Sequence, residues 1–107
     1  MLVVLFKIRA RADVDEAAYE AAFLQMLDRV GQIRGYLGFE SYTGEDGTEL
    51  GVATFEDDIA LADWREEPDH VATRRRGHDE FFEAYDITVA TVGRHYAWSR
   101  SDDGNGD

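Results

Sequence analysis

Residues Leu2 to Ile8, LVVLFKI, are apolar at every position but Lys7. So short a run reads as a strand, and apolar residues in both registers require cover on both of its faces. Alternation puts Val3, Leu5, Lys7 and Arg9 on one face and Leu2, Val4, Phe6 and Ile8 on the other, which is expected to meet helices. The far end of the chain has the same property. Tyr85 to Trp98, YDITVATVGRHYAW, is β-rich with apolar side chains in both registers, and is expected to form one long last strand.

Between these strands the pattern changes period. Asp13 followed by Glu16 has capping-box spacing, after which Tyr19, Phe23, Met26, Leu27, Val30 and Ile33 recur at helical intervals to about Arg34, with Gly35 free to take a left-handed exit. Tyr36 to Thr43 and Leu50 to Phe55 read as a hairpin around the turn residues Glu45 to Thr48. Asp57 or Asp58 then caps a helix carrying Ile59, Leu61, Ala62 and Trp64, which Pro68 ends. Asp69 is expected to cap a second piece through Arg76, stopped at Gly77, and His78 to Ala84 a further helical turn with Phe81 and Phe82 inward. The order is β-α-β-β-α-β, a ferredoxin-like α+β fold with both helices on one face of an antiparallel sheet. Two helices cover one face only. With the first and last strands taken as adjacent, central and apolar on both sides, the open face is expected to pack on a second copy of the chain, giving a homodimer.

The chain has 107 residues, no cysteine, and 23 acidic against 11 basic residues for a formal charge of −12. That is one domain, expected over residues 1–100, with SDDGNGD (101–107) as a disordered acidic tail. At this size folding buries roughly two thirds of the unfolded chain's surface, so a core forms without disulfides or structural metal. Thiolate chemistry and Cys-ligated zinc are excluded. The acidic balance opposes nucleic acid and anionic membranes, since phosphate binding is dominated by Lys and Arg. The N-terminal apolar run is too short to span a membrane and has neither a basic region before it nor a small-residue cleavage pattern after it, so a cytoplasmic protein is expected.

The residues Trp64, Glu67-Pro68-Asp69-His70, Arg74-Arg75-Arg76-Gly77-His78, Phe81-Phe82, Tyr85 to Ala90 and Arg94-His95-Tyr96 together resemble the antibiotic biosynthesis monooxygenase family of dimeric α+β barrels. The likeness spans about residues 2–100. It implies the ferredoxin-like fold, a homodimer, and an activity among those of similar proteins: cofactor-independent oxygenation of polycyclic phenols to quinones, haem degradation, or no known chemistry. Trp64 falls where haem-degrading relatives and some quinone-forming oxygenases carry a pocket tryptophan. The haem ligand of such relatives lies ten residues further on, which here is Arg74, a guanidinium that cannot bind iron. They also place an asparagine on the first strand, where this chain has Lys7, and its only asparagine is Asn105. His78 lies one helical turn past Arg74, with Gly77 expected to break the helix between them.

The resemblance therefore implies a small homodimeric monooxygenase that oxidises a phenolic or polyketide-like aromatic substrate with O2 and no bound cofactor. A non-catalytic ligand-binding or stress-associated dimer of the same fold is the alternative. Such oxygenation needs an apolar cavity, a group to take the phenolic proton and a donor for the developing oxyanion. Trp64 offers a wall and an indole N–H, or else fills the core. His70 follows a helix cap, whose positive end lowers its pKa and leaves a neutral imidazole suited to a general base, or else it is an exposed histidine paired with a carboxylate. Lys7 either enters the barrel interior to stabilise a phenolate or pairs with Glu40 or Glu56. Arg94 is an oxyanion donor or an interface salt bridge. The candidate site is thus Trp64, His70, Lys7 and Arg94, with no metal: His70, His78 and His95 lack HxxxH spacing.

Overall fold

The structure is a computed structural model that describes residues 1–100; the acidic tail expected over 101–107 lies outside the described residues. The elements are β1 (Leu2–Ala10), α1 (Glu16–Val30), β2 (Tyr36–Thr43), β3 (Glu49–Phe55), α2 (Asp58–Glu66), α3 (Pro68–Arg76) and β4 (Phe82–Thr91), with a π turn at Gly77–Phe81 leading from α3 into β4. The sheet order is β2-β3-β1-β4, every pair antiparallel. This is the ferredoxin-like α+β fold, its second helix split into α2 and α3. β1 and β4 are adjacent, as expected, but only β1 is central. β4 is an edge strand, so the strand that shares the middle of the sheet with β1 is β3.

Capping sets the helix starts. Asp15, two residues after the expected cap, accepts from the Ala18 amide at 3.1 Å, and Asp57 accepts from Ala60 at 2.9 Å. α1 ends at Val30, short of Arg34. Gly35 then takes a φ of 94°, and a Cβ there would lie 2.7 Å from that of Ala60. Both the turn into β2 and its contact with α2 therefore require glycine. Gly47, at φ 85°, turns the hairpin, helped by Asp46 accepting from the Thr48 amide.

Pro68 follows the end of α2 at Glu66, as expected, and it also begins α3, at the position where a missing amide costs nothing. The cap is Glu67, not Asp69. Gly77 does not break the chain's helical path, since its φ and ψ are −57° and −49°. It is needed for space: a Cβ would meet the Phe82 ring at 2.6 Å. Phe81 is buried and Phe82 partly so, as expected, but Phe82 already belongs to β4.

The register sorts the sheet faces. Val4 lies between Ala53 and Val89, and Phe6 between Gly51 and Ile87, on the helix side. Val3, Leu5 and Lys7 lie on the other side with Thr54, Val52, Leu50 and Asp86. At one end of the helix side, Phe55, fully buried, packs with Val30 and Ala60, and Val4, Ala53, Leu61 and Trp64 close around them. α1 and α3 lie across the sheet in opposite senses. Arg29 near the end of α1 pairs with Asp69 at the start of α3 (2.9 Å), while Tyr19 near the start of α1 meets Phe81 beyond the end of α3 (ring centroids 5.4 Å apart).

Candidate active site

Between the helix layer and the sheet lies a cavity of about 860 Å³. Val4, Phe6 and Ala53 form its floor, Phe23 and Leu27 of α1 and Trp64 of α2 its roof, and His70 and Arg74 of α3 part of its wall. Ile87 and Val89 line the β4 side yet stay about half exposed (56% and 51%), because β4 is an edge strand. Its volume and apolar lining suit a flat organic molecule of several rings.

Trp64 and His70 come together as one unit. Their rings are stacked, 3.9 Å between centroids and 9° from parallel. His70 is the third residue of α3, and its backbone amide donates to the Glu67 carboxylate at 2.7 Å. Nδ1 of His70 lies 2.8 Å from the Trp64 carbonyl oxygen. A carbonyl only accepts, so Nδ1 carries the proton of the neutral ring and Nε2 is left with its lone pair. Burial pushes the His70 pKa below its ordinary value of 6.5; the Trp64 carbonyl and Glu67 pull it up, and the Arg74 guanidinium pushes it down. The expected direction therefore holds, with burial as the leading cause.

The other two expected site residues lie elsewhere. Lys7 is exposed on the sheet face away from the cavity, opposite Asp86 of β4 and Leu50 of β3. Glu40 is on β2, two strands from β1, and its carboxylate accepts from the Tyr42 hydroxyl instead. Lys7 is thus not among the residues that line the cavity between sheet and helices. Arg94 is not on the last strand at all: β4 ends at Thr91, and the Arg94 guanidinium sits over the exposed Tyr96 ring, 5.9 Å from its centroid. His78 is exposed and bonded to Asp79 (3.1 Å), outside the cavity lining. Arg74, which does line the cavity, donates to the Arg65 carbonyl at 3.2 Å. A guanidinium offers no lone pair to iron, so Arg74 does not fit the role of a haem ligand.

Two cavity residues had no functional reading in the sequence. Tyr19 belonged to the helical stripe of α1, and Glu49 preceded the expected start of β3. The Tyr19 hydroxyl donates to the Glu49 carboxylate at 3.3 Å, and burial together with that carboxylate holds the phenol neutral, far above its ordinary pKa. Glu49 is in register with Ile8, on the inward side. A charged residue in an inward register was the available signal.

The sequence model of the antibiotic biosynthesis monooxygenase family matches residues 1–76. The chain is 28% identical over 80 residues to the uncharacterized protein YqjZ of Bacillus subtilis, covering 75% of this chain and 70% of that one. Rv0793 from Mycobacterium tuberculosis superposes with a TM-score of 0.78 at 18% identity, over 90% of this chain and 98% of its own. SnoaB, a cofactor-independent oxygenase from Streptomyces nogalater, superposes at 0.73 and 10% identity, over 88% and 94%. At such identities these two likenesses are of fold.

Proposed function

Because the chain belongs to the antibiotic biosynthesis monooxygenase family, we propose that it is a cofactor-independent monooxygenase that oxidises a phenolic, polyketide-like aromatic substrate with O2 to a quinone. The observation that carries this reading is the stacked Trp64–His70 pair in the wall of an apolar cavity, with Nδ1 of His70 held by a carbonyl and Nε2 left as a base. The fold shared with a cofactor-independent oxygenase supports it.

In this scheme Nε2 takes the phenolic proton. The phenolate gives one electron to dioxygen, and the resulting substrate radical and superoxide combine into a peroxide on a ring carbon. The imidazolium returns its proton to the peroxide, and the O–O bond then breaks as that carbon gives up its remaining proton to the departing hydroxide, leaving the quinone carbonyl and water. The protein's share is to strip water from the phenolate, hold the ring flat against Trp64, and offer the Arg74 guanidinium to the developing charge. The homodimer is part of the same reading: Val3, Leu5, Val52 and Leu50 on the open sheet face meet their counterparts in a second copy.

Oxygen uptake and anthraquinone formation with anthrone test this. His70→Ala should lower the rate by about 10²- to 10⁴-fold, with partial recovery as rising pH ionises the substrate in solution. Trp64→Phe should keep the fold and lose the indole donor. Wild-type rates in both variants would sink the assignment. The alternative, a binding protein of the same fold, is favoured by the lack of asparagine in residues 1–100; it predicts ligand binding with no oxygen uptake.

A further inference from the structure

The cavity has two polar ends, and only one of them is used by the oxidation just described. Trp64 packs on the Phe55 end of β3, whereas Glu49 begins that strand six residues earlier, about 20 Å away at the rise of an extended chain. The helices give a second measure. Asp69, next to His70, pairs with Arg29, and Tyr19 lies ten residues back along α1, about 15 Å away. Arg65 and Arg74 line the cavity with the Trp64–His70 pair; Glu20 and Glu49 line it with Tyr19. One end is therefore cationic and basic, the other anionic, and the floor between them is apolar.

At the anionic end the Tyr19 hydroxyl spends its proton on Glu49. What faces a ligand there is acceptor only: the second carboxylate oxygen and the free lone pair of the phenol. We propose that the Tyr19–Glu49 pair is a second recognition point, selecting elongated aromatic ligands that carry a hydrogen-bond donor, a hydroxyl or an amine, at the end remote from the Trp64–His70 pair. A carboxylate at that end is rejected by repulsion from Glu49. This rests on the reading of the cavity as a ligand site, and it adds which molecules that site accepts: those with an ionisable phenol at one end and a donor at the other.

The test uses anthraquinones, which are already oxidised and so report binding alone. Anthraflavic acid carries one hydroxyl at each end of its long axis, and its monohydroxy analogue lacks one of them. Titration calorimetry on the full chain should find anthraflavic acid bound about tenfold or more tighter, the usual worth of a hydrogen bond to a charged group. Glu49→Ala should erase the preference and bind the monohydroxy compound as the wild type does; Glu49→Gln, which keeps the shape without the charge, should reduce it to a few-fold. Glu49 is exposed, so both variants should fold. Replacing one hydroxyl of anthraflavic acid by an amine should preserve the preference, and by a carboxylate should abolish binding at that end. Equal wild-type affinity for the two quinones, or a preference that survives Glu49→Ala, overturns the proposal while the cavity reading stands. Binding of neither quinone overturns both. If Tyr19→Phe and Glu49→Ala only lower the melting temperature and leave the preference intact, the pair is a structural tie between α1 and β3.

Discussion

The two faces of the sheet are both apolar in sequence and differ in what covers them. On the helix side Val4, Phe6 and Ala53 floor a cavity that closes to a packed core at Phe55. On the other side Val3, Leu5 and Val52 are partly buried, with no helix over them among the described residues. Strand alternation separates two faces without saying which one encloses a cavity. That is decided by where α1, α2 and α3 lie, and they lie over the face that lacks Lys7. A charged residue among apolar ones in a strand is therefore an ambiguous mark of a site.

The contrast can be broken most severely on the open face. Leu5→Asp puts a carboxylate in the middle strand of the face assigned to the dimer, and twofold symmetry puts a second one across the interface. An unpaired buried charge costs on the order of 10²- to 10⁴-fold in dissociation constant. Light scattering should report a protomer mass while circular dichroism stays native. A dimer of unchanged affinity would show that the copies do not meet through this face.

On the helix side the corresponding change attacks the fold. Phe55 is fully buried at the closed end of the cavity, and Phe55→Ala should cost about 3–5 kcal/mol in urea unfolding, a large part of the roughly 5–15 kcal/mol that holds a small domain together. A loss under about 1 kcal/mol would mean that the cavity collapses to fill the space, and that its walls are less fixed than the stacked and T-shaped ring contacts imply.

The strands, the hairpin and the order of elements were legible because apolar runs and turn residues are local signals. The placement of Trp64 and His70 on neighbouring helical pieces was legible for the same reason, though the stacking of their rings was not. What local signals could not supply was the joining of elements. Nothing near Gly77 says that Phe82 will lie against it, so a glycine needed for close approach read as a helix stop. Pro68 marked the end of α2, and only Glu67 accepting from the His70 amide shows that it also begins α3. The apolar run to Trp98 suggested a longer β4, but the pairing with β1 ends where β1 begins, at Leu2 opposite Thr91. Arg94 lost its strand for that reason.

A smaller effect concerns the cavity wall. His70 has a folded-state pKa below its ordinary 6.5, so the unfolded chain binds its proton more readily. The stability this lends is full above pH 6.5 and lost as pH falls below it, with a slope of at most about 1.4 kcal/mol per pH unit for one proton. Glu67 partly opposes the shift and Arg74 reinforces it. Urea unfolding of wild type and His70→Ala across this window should give a shallower pH dependence in the variant. Identical slopes would mean that His70 titrates as a solvated imidazole, and the stacked pair would lose its standing as a preset base.

The smallest expected effect separates the two faces most sharply. Lys7→Ala should leave oxygen uptake with anthrone unchanged at every pH, because Lys7 projects from the face opposite the cavity and its strand neighbour there is Asp86. If the open face joins two copies, the same substitution leaves Asp86 without a cation beside it and should weaken the dimer by up to about 1 kcal/mol, more at low salt than at high. A rate that falls with dimer affinity intact would bring the ammonium to the substrate after all, and the cavity would have to be sought between two sheets. A dimer that weakens with the rate intact assigns Lys7 to assembly, and leaves the chemistry to the side of the sheet that carries Trp64 and His70.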